Sequence, residues 1–140
     1  MGLSVLKTSS FYESPSYPNK SHPKFINIIV CVKSMLKPKS LMRVLITIEE
    51  ALGRKRKEKN EPRTCDIDII DYKRRVLSTR SGNLGLVIPH KNLSTRNFVL
   101  YPLREISPKW RHPKTNENIS TLIKNLNHED RKSILKVRKN

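Results

Sequence analysis

The stretch Pro62-Arg63-Thr64-Cys65-Asp66-Ile67-Asp68-Ile69-Ile70-Asp71-Tyr72 decides how the chain is read. From Cys65 to Tyr72 it predicts a strand, with Ile67 and Ile69 on one face and Asp66, Asp68 and Ile70 on the other. Residues i and i+2 of a strand project side by side, with Cα atoms roughly 7 Å apart. Two carboxylates that close fit either of two readings. They are a solvated pair on an exposed edge strand, or they hold a hard divalent cation between them. Arg63 stands just before the pair, and Arg54-Lys55-Arg56-Lys57-Glu58-Lys59-Asn60 lies a little upstream. Carboxylates that hold magnesium among arginines handle nucleotide phosphates by positioning and charge neutralisation. The basic run alone reads as a solvated loop or a nucleic-acid patch; its place before the D-x-D strand favours a loop that closes over phosphates.

Working toward the N-terminus, Pro38 and Ser40 open a helix that runs to about Leu52 and stops at Gly53. Leu41, Leu45, Ile48 and Leu52 form its apolar stripe, with Glu49 at the edge. Phe25 to Lys33 is a strand whose even positions, Ile26, Ile28, Val30 and Val32, are expected to face the core. Its odd face carries Phe25, Asn27, Ile29 and Cys31, and an Asn in mid-strand needs a hydrogen-bond partner. Residues 13–24, with Pro15, Pro18 and Pro23, form a loop, and residues 3–12 a further strand. Toward the C-terminus, residues 79–85 are a turn, and Leu86-Val87-Ile88 is a strand ended by Pro89. Arg96 to Leu103 reads as another strand and Ile119 to Leu126 as a short helix. The last fifteen residues are a basic, solvated tail with a second possible helix. Strands interleaved with helices place the chain in the α/β or α+β class.

The 140 residues suit one domain. Lys and Arg number 29 against 12 Asp and Glu, a net charge of +17 that calls for an anionic partner: nucleic acid, a membrane surface or a phosphate-rich small molecule. The longest nearly apolar run, Phe25 to Val32, is far too short to cross a membrane. Cys31 and Cys65 lack C-x-x-C spacing and read as buried reduced thiols, without a disulfide or zinc. With no apolar leader segment, and Leu6 where myristoylation wants Ser or Thr, the expectation is a soluble cytoplasmic protein. Gly82-Asn83-Leu84-Gly85 fits neither a Walker A nor a dinucleotide-binding glycine pattern, so any phosphate site is not a P-loop. His90 and Arg96 add two possible phosphate donors. Phe25 and Phe98 are core residues or, with Asn27, a cradle for a flat heterocycle.

Taken in order, five blocks form one pattern. They are Ser10-Phe11-Tyr12-x-Ser14-Pro15 with Phe25-Ile26-Asn27; Ile48-Glu49-x-x-Leu52-Gly53-Arg54-x-Arg56; Pro62-Arg63-Thr64-x-Asp66-Ile67-Asp68-Ile69; Ile88-Pro89-His90; and Arg96-Asn97-Phe98-Val99-Leu100-x-Pro102-Leu103-x-Glu105-Ile106. This pattern, over about residues 8–108, closely resembles the 6-hydroxymethyl-7,8-dihydropterin pyrophosphokinase family of folate biosynthesis. The resemblance implies a single domain with an α+β, ferredoxin-like sandwich and an antiparallel-rich sheet, followed by a basic extension at about 126–140. It implies transfer of pyrophosphate from ATP to the pterin hydroxymethyl oxygen, with release of AMP and two Mg2+ ions held by Asp66 and Asp68. Arg54 and Arg63 would act with those aspartates in catalysis. Arg56, His90 and Arg96 would meet the triphosphate, with Glu49 and the backbone of Ile69 near the nucleoside. Phe25 and Phe98 would sandwich the pterin, whose polar edge Asn27, Ser14, Pro15 and Tyr17 would read. Loop 54–62 would be a mobile lid that excludes water. The expected partners are thus ATP and hydroxymethyl-dihydropterin, bound by a monomer, with nucleic acid and membrane set aside.

Three departures from the family pattern stand out. Ser14 replaces a customary Thr, and Asn60 falls where some members carry an aromatic lid residue. Members also begin with a strand ending Gly-Ser-Asn-Leu-Gly and then a helix, whereas Met1 lies only a few residues before the Ser-x-Tyr strand. The chain is therefore expected to be one strand and one helix short of the family's domain. A small basic nucleic-acid-binding protein and an inactive pterin- or nucleotide-binding remnant are the alternative readings.

Overall fold

A computed structural model describes residues 2–15, 24–53, 65–79 and 85–137. The first four strands are β1 (Leu3–Thr8), β2 (Phe11–Ser14), β3 (Phe25–Asn27) and β4 (Val30–Ser34). β1 pairs antiparallel with β4 and β2 with β3, so residues 3–14 and 25–34 run as one long antiparallel pair broken in the middle. The partners drift from Val5↔Val32 to Thr8↔Val30 across a bulge, and then to Tyr12↔Asn27. At the break the Ser9 N–H donates to Ile29 O (2.9 Å), and the Ile29 N–H donates to Ser9 Oγ (2.9 Å). A buried hydroxyl thus completes the ladder where its register shifts. The strands expected at 3–12 and 25–33 are each two strands for this reason.

Three shorter strands follow: β5 (Leu77–Thr79), β6 (Leu86–Ile88) and β7 (Leu135–Val137). β5 pairs with β6, and β7 pairs antiparallel with β2, giving the order β3-β2-β7. The C-terminal segment is therefore a structural strand, and the solvated-tail expectation is corrected for the described residues up to 137. The described residues also form α1 (Pro38–Ala51), α2 (Asn97–Ile106), α3 (Ile119–Lys124) and α4 (His128–Lys132). The class is α+β with antiparallel ladders, in keeping with the ferredoxin-like expectation. No helix among the described residues is long and apolar enough to cross a membrane.

α2 overturns the strand expected at Arg96 to Leu103. Its buried residues Val99, Leu100 and Leu103 recur at helical spacing, and Pro102 is incompatible with a central strand. They pack with Leu93, Trp110, Ile119, Leu122, Ile123 and Leu126 in one core. A second core gathers Leu41 of α1 with Ile69, Tyr72, Leu86 and Ile88. Leu41 of α1 is buried and Leu52, just past its end, exposed, whereas Glu49, expected at the stripe's edge, is only 3% exposed. Gly53 (φ +90°) ends that helix in the left-handed region.

The even face of residues 26–32 is not buried as expected: Ile26, Ile28, Val30 and Val32 are all exposed. No element among the described residues closes over that face; Leu41, Met42 and Leu45 of α1 pack on the Ile69–Ile88 core instead. Cys31 is likewise exposed and Cys65 only partly buried, which corrects the expectation of two buried thiols.

Candidate active site

Residues 65–71 run without a ladder partner, so the strand expected at Cys65 to Tyr72 is an unpaired segment. Its burial still alternates: Cys65 and Ile67 are half-buried and Ile69 buried, while Asp66 and Asp68 face solvent. Side chains and single backbone contacts hold it in place of a sheet. Glu49 Oε2 accepts from the Ile67 N–H (2.9 Å), between the two aspartates. The His90 N–H donates to Ile70 O (3.0 Å). Asp71 accepts from Trp110 Nε1 at Oδ2 (2.9 Å) and from the Arg74 N–H at Oδ1 (3.1 Å). Ile69 sits in the second core, and Ile70 packs against the first. Burial, then the nearby Glu49 and Asp66 carboxylates, push the Cys65 thiol up, so it stays protonated.

His90 Nδ1 accepts from the Asn92 N–H (3.1 Å), which leaves the ring proton on Nε2. Burial lowers its pKa below the ordinary value; Asp68 pulls it up, and Arg96 and Lys91 push it down. Asp68 and Arg96 thus each lie within electrostatic reach of His90. Arg96 immediately precedes α2, and its guanidinium lies over the Phe98 ring at 5.4 Å from the centroid. Among the described residues no group of three His, Cys, Asp or Glu side chains could hold a metal. Two exposed carboxylates on one segment fit Mg2+, which keeps several waters and takes one or two carboxylates plus substrate phosphates.

Ser14, Phe25 and Asn27 come together on the β2–β3 ladder. Ser14 pairs with Phe25 and Asn27 with Tyr12, and directly opposed residues project to the same face. That face meets α2, because Tyr12 Oη donates to Glu105 Oε1 (3.0 Å). The Ser14 hydroxyl is buried without a hydrogen-bond partner among the described residues, although buried polar groups are nearly always paired. Phe25 is half-exposed beside it, Pro15 follows directly, and Phe98 stands in the first turn of α2. Tyr17, Arg54, Arg56 and Arg63, with Asn60 and the expected lid at 54–62, lie outside the described residues.

The model for 7,8-dihydro-6-hydroxymethylpterin-pyrophosphokinase matches residues 1–108, most of the chain and every site residue named above. The chain belongs to this pyrophosphokinase family. It is 39% identical over 122 residues to the 2-amino-4-hydroxy-6-hydroxymethyldihydropteridine pyrophosphokinase of Synechocystis, covering 87% of this chain and 60% of that one. An Aquifex aeolicus protein of the same name is 37% identical over 111 residues, covering 79% and 67%. The folic acid synthesis protein fol1 of Pneumocystis carinii is 37% identical over 134 residues, 96% of this chain but 18% of that longer protein. The chain thus spans about 60% of the Synechocystis pyrophosphokinase and less than a fifth of fol1.

Within this family member, three groups that sequence reasoning gave no role hold the site residues in place. Ser9 joins β1–β2 to residue 29. Asp71 ties the D-x-D segment to Trp110. Glu105 joins α2 to β2 and β7, receiving Ser10, Tyr12 and Lys136. Glu105 lay inside a quoted motif, but nothing local signals its partners, because Ser10 and Tyr12 are over 90 residues away.

Proposed function

We propose that this protein transfers the pyrophosphoryl group of ATP to the hydroxymethyl oxygen of 6-hydroxymethyl-7,8-dihydropterin. The pterin hydroxyl oxygen bonds to the β-phosphorus of ATP as the bond from that phosphorus to the α–β bridging oxygen breaks, and the hydroxyl proton is released to solvent. The products are AMP and the pterin diphosphate. The observation that carries this reading is the exposed Asp66 and Asp68 pair on one segment, with Asp68 and Arg96 both acting on His90.

Asp66 and Asp68 would hold Mg2+, two ions in all, and the metal would supply neutralisation of phosphate charge. Neutral His90 donates from Nε2, and Arg96, Arg56, Arg54 and Arg63 supply the remaining cationic donors to the triphosphate. Arg96 leaves the Phe98 ring when it turns to phosphate, which frees an aromatic face for the pterin. Phe25 covers the other face, while Asn27, Ser14, Pro15 and Tyr17 read the polar edge. The unpartnered Ser14 hydroxyl supports that assignment, since a heterocyclic N–H or carbonyl would satisfy it. Glu49 and the Ile69 backbone flank the nucleoside. The protein acts as a cytoplasmic monomer on these two small substrates.

The test is AMP release from ATP with hydroxymethyl-dihydropterin and magnesium, for the wild type and Asp68→Ala. Release by the wild type that falls to background in the variant is expected. Release that is unchanged by the substitution refutes the metal assignment, and a silent wild type that still binds ATP refutes turnover.

A further inference from the structure

Along the C-terminal part of α2, one to two turns beyond Phe98, a cavity of about 380 Å³ opens between the helix and the C-terminal segment. Tyr12, Tyr101, Arg104 and Glu105 line it from the family region, and Arg131 and Lys136 from residues beyond the family match. Its volume is within the range of small-molecule sites. The proposed reaction uses none of these side chains.

The charges are not matched internally. Glu105 is occupied: it receives Lys136 Nζ (3.0 Å), Tyr12 Oη (3.0 Å) and the Ser10 N–H. These hydrogen bonds hold its carboxyl down at about 2 although burial alone would raise it, so it is ionised at neutral pH. Arg104 lies over the Tyr101 ring at 5.1 Å from the centroid, and neither it nor Arg131 meets a carboxylate among the described residues. Among the described lining residues three cations and one carboxylate leave two positive charges in excess, and two forked guanidinium donors have no acidic partner there.

We propose that this cavity binds a compact phosphate dianion, a phosphate monoester or inorganic phosphate, clasped by Arg104 and Arg131 with Lys136 at its edge. A phosphate monoester carries close to two negative charges at neutral pH, which matches the excess. Guanidinium forks favour phosphate oxygens over a spherical anion, because two parallel N–H donors meet two acceptors.

The experiment is a titration of the full-length chain with inorganic phosphate and, separately, phenyl phosphate, followed by the backbone amide resonances of Tyr101 and Ile134. These reporters separate the cavity from the triphosphate site. Saturable shifts at both are expected, with affinity lowered about ten-fold or more in Arg131→Gln and further in Arg104→Gln/Arg131→Gln. Arg131 is exposed in a short helix, so its single variant keeps the test valid if the double variant does not fold. Tighter binding of phenyl phosphate than of phosphate assigns a monoester, and the reverse assigns the free ion. Shifts that do not saturate, or that are equal in wild type and variants, overturn the proposal.

Discussion

Replacing Glu105 with Gln tests whether α2 and the β2 strand are locked together by one ionised carboxylate. Glu105 is titrated from an ordinary 4.5 down to about 2 by the Ser10 N–H and hydroxyl, Lys136 and Tyr12, which together outweigh its burial. The gap corresponds to about 3 kcal/mol at most. Its side chain is 23% exposed, so solvent screening brings the figure to about 2 kcal/mol. Because the folded-state value is depressed, this stability is fully present above pH 4.5, shrinks as pH falls and is gone below about pH 2. Urea unfolding at pH 7 should therefore show Glu105→Gln less stable by about 2 kcal/mol, a midpoint about 1 M lower. At pH 3 the difference should be about half as large. A deficit that stays constant or grows on acidification would refute the ionised-carboxylate account, leaving only a shape effect.

Four further outcomes follow from the same geometry. Burial, then the Glu105 hydrogen bond, raise Tyr12 to about 12, so its stabilising effect is intact below pH 10 and is lost as pH rises toward 12; phenolate absorbance should show it ionising later than the other tyrosines. Ser14→Ala should leave thermal stability unchanged or slightly higher, since it removes an unpaired buried hydroxyl, while pterin affinity measured by calorimetry falls about ten-fold. Glu49→Ala should cost about 2 kcal/mol in urea unfolding by stranding the Ile67 N–H, and should raise the magnesium concentration needed for half-maximal AMP release; Glu49→Gln, which keeps an acceptor, should recover part of both. Leu100→Ala, at a position with 0% exposure, should cost about 2–5 kcal/mol in the same assay.

Much of the site could be read from the sequence because its residues form short, local patterns. The period-2 spacing of Asp66 and Asp68 survives as alternating exposure even though the segment has no ladder. α1 was bounded correctly at Pro38 and near Gly53, since Pro at a first turn and Gly after a last one act locally. Where the reading failed, distant partners decided. Phe98-Val99-Leu100-Tyr101 has strand-like residues, but α3 and Trp110 bury it on a helical period. The single strand expected at 25–33 is divided by a hydroxyl twenty residues away. The basic tail looked solvated because its role depends on β2, to which β7 returns across the whole chain. The apolar residues of β4 promised a buried face, yet apolar composition says nothing about whether a covering element is present.

Ile69 and Ile70 are neighbours in sequence but belong to different cores. The peptide unit between them is therefore one joint between the two packed clusters, beside the Asp71–Trp110 hydrogen bond, and the paired aspartates stand directly before it. A ligand held by Asp66 and Asp68 would bear on both clusters through that joint. Occupying the site should then make the domain unfold as one cooperative unit, so that the chemistry and the integrity of the fold are borne by the same few bonds.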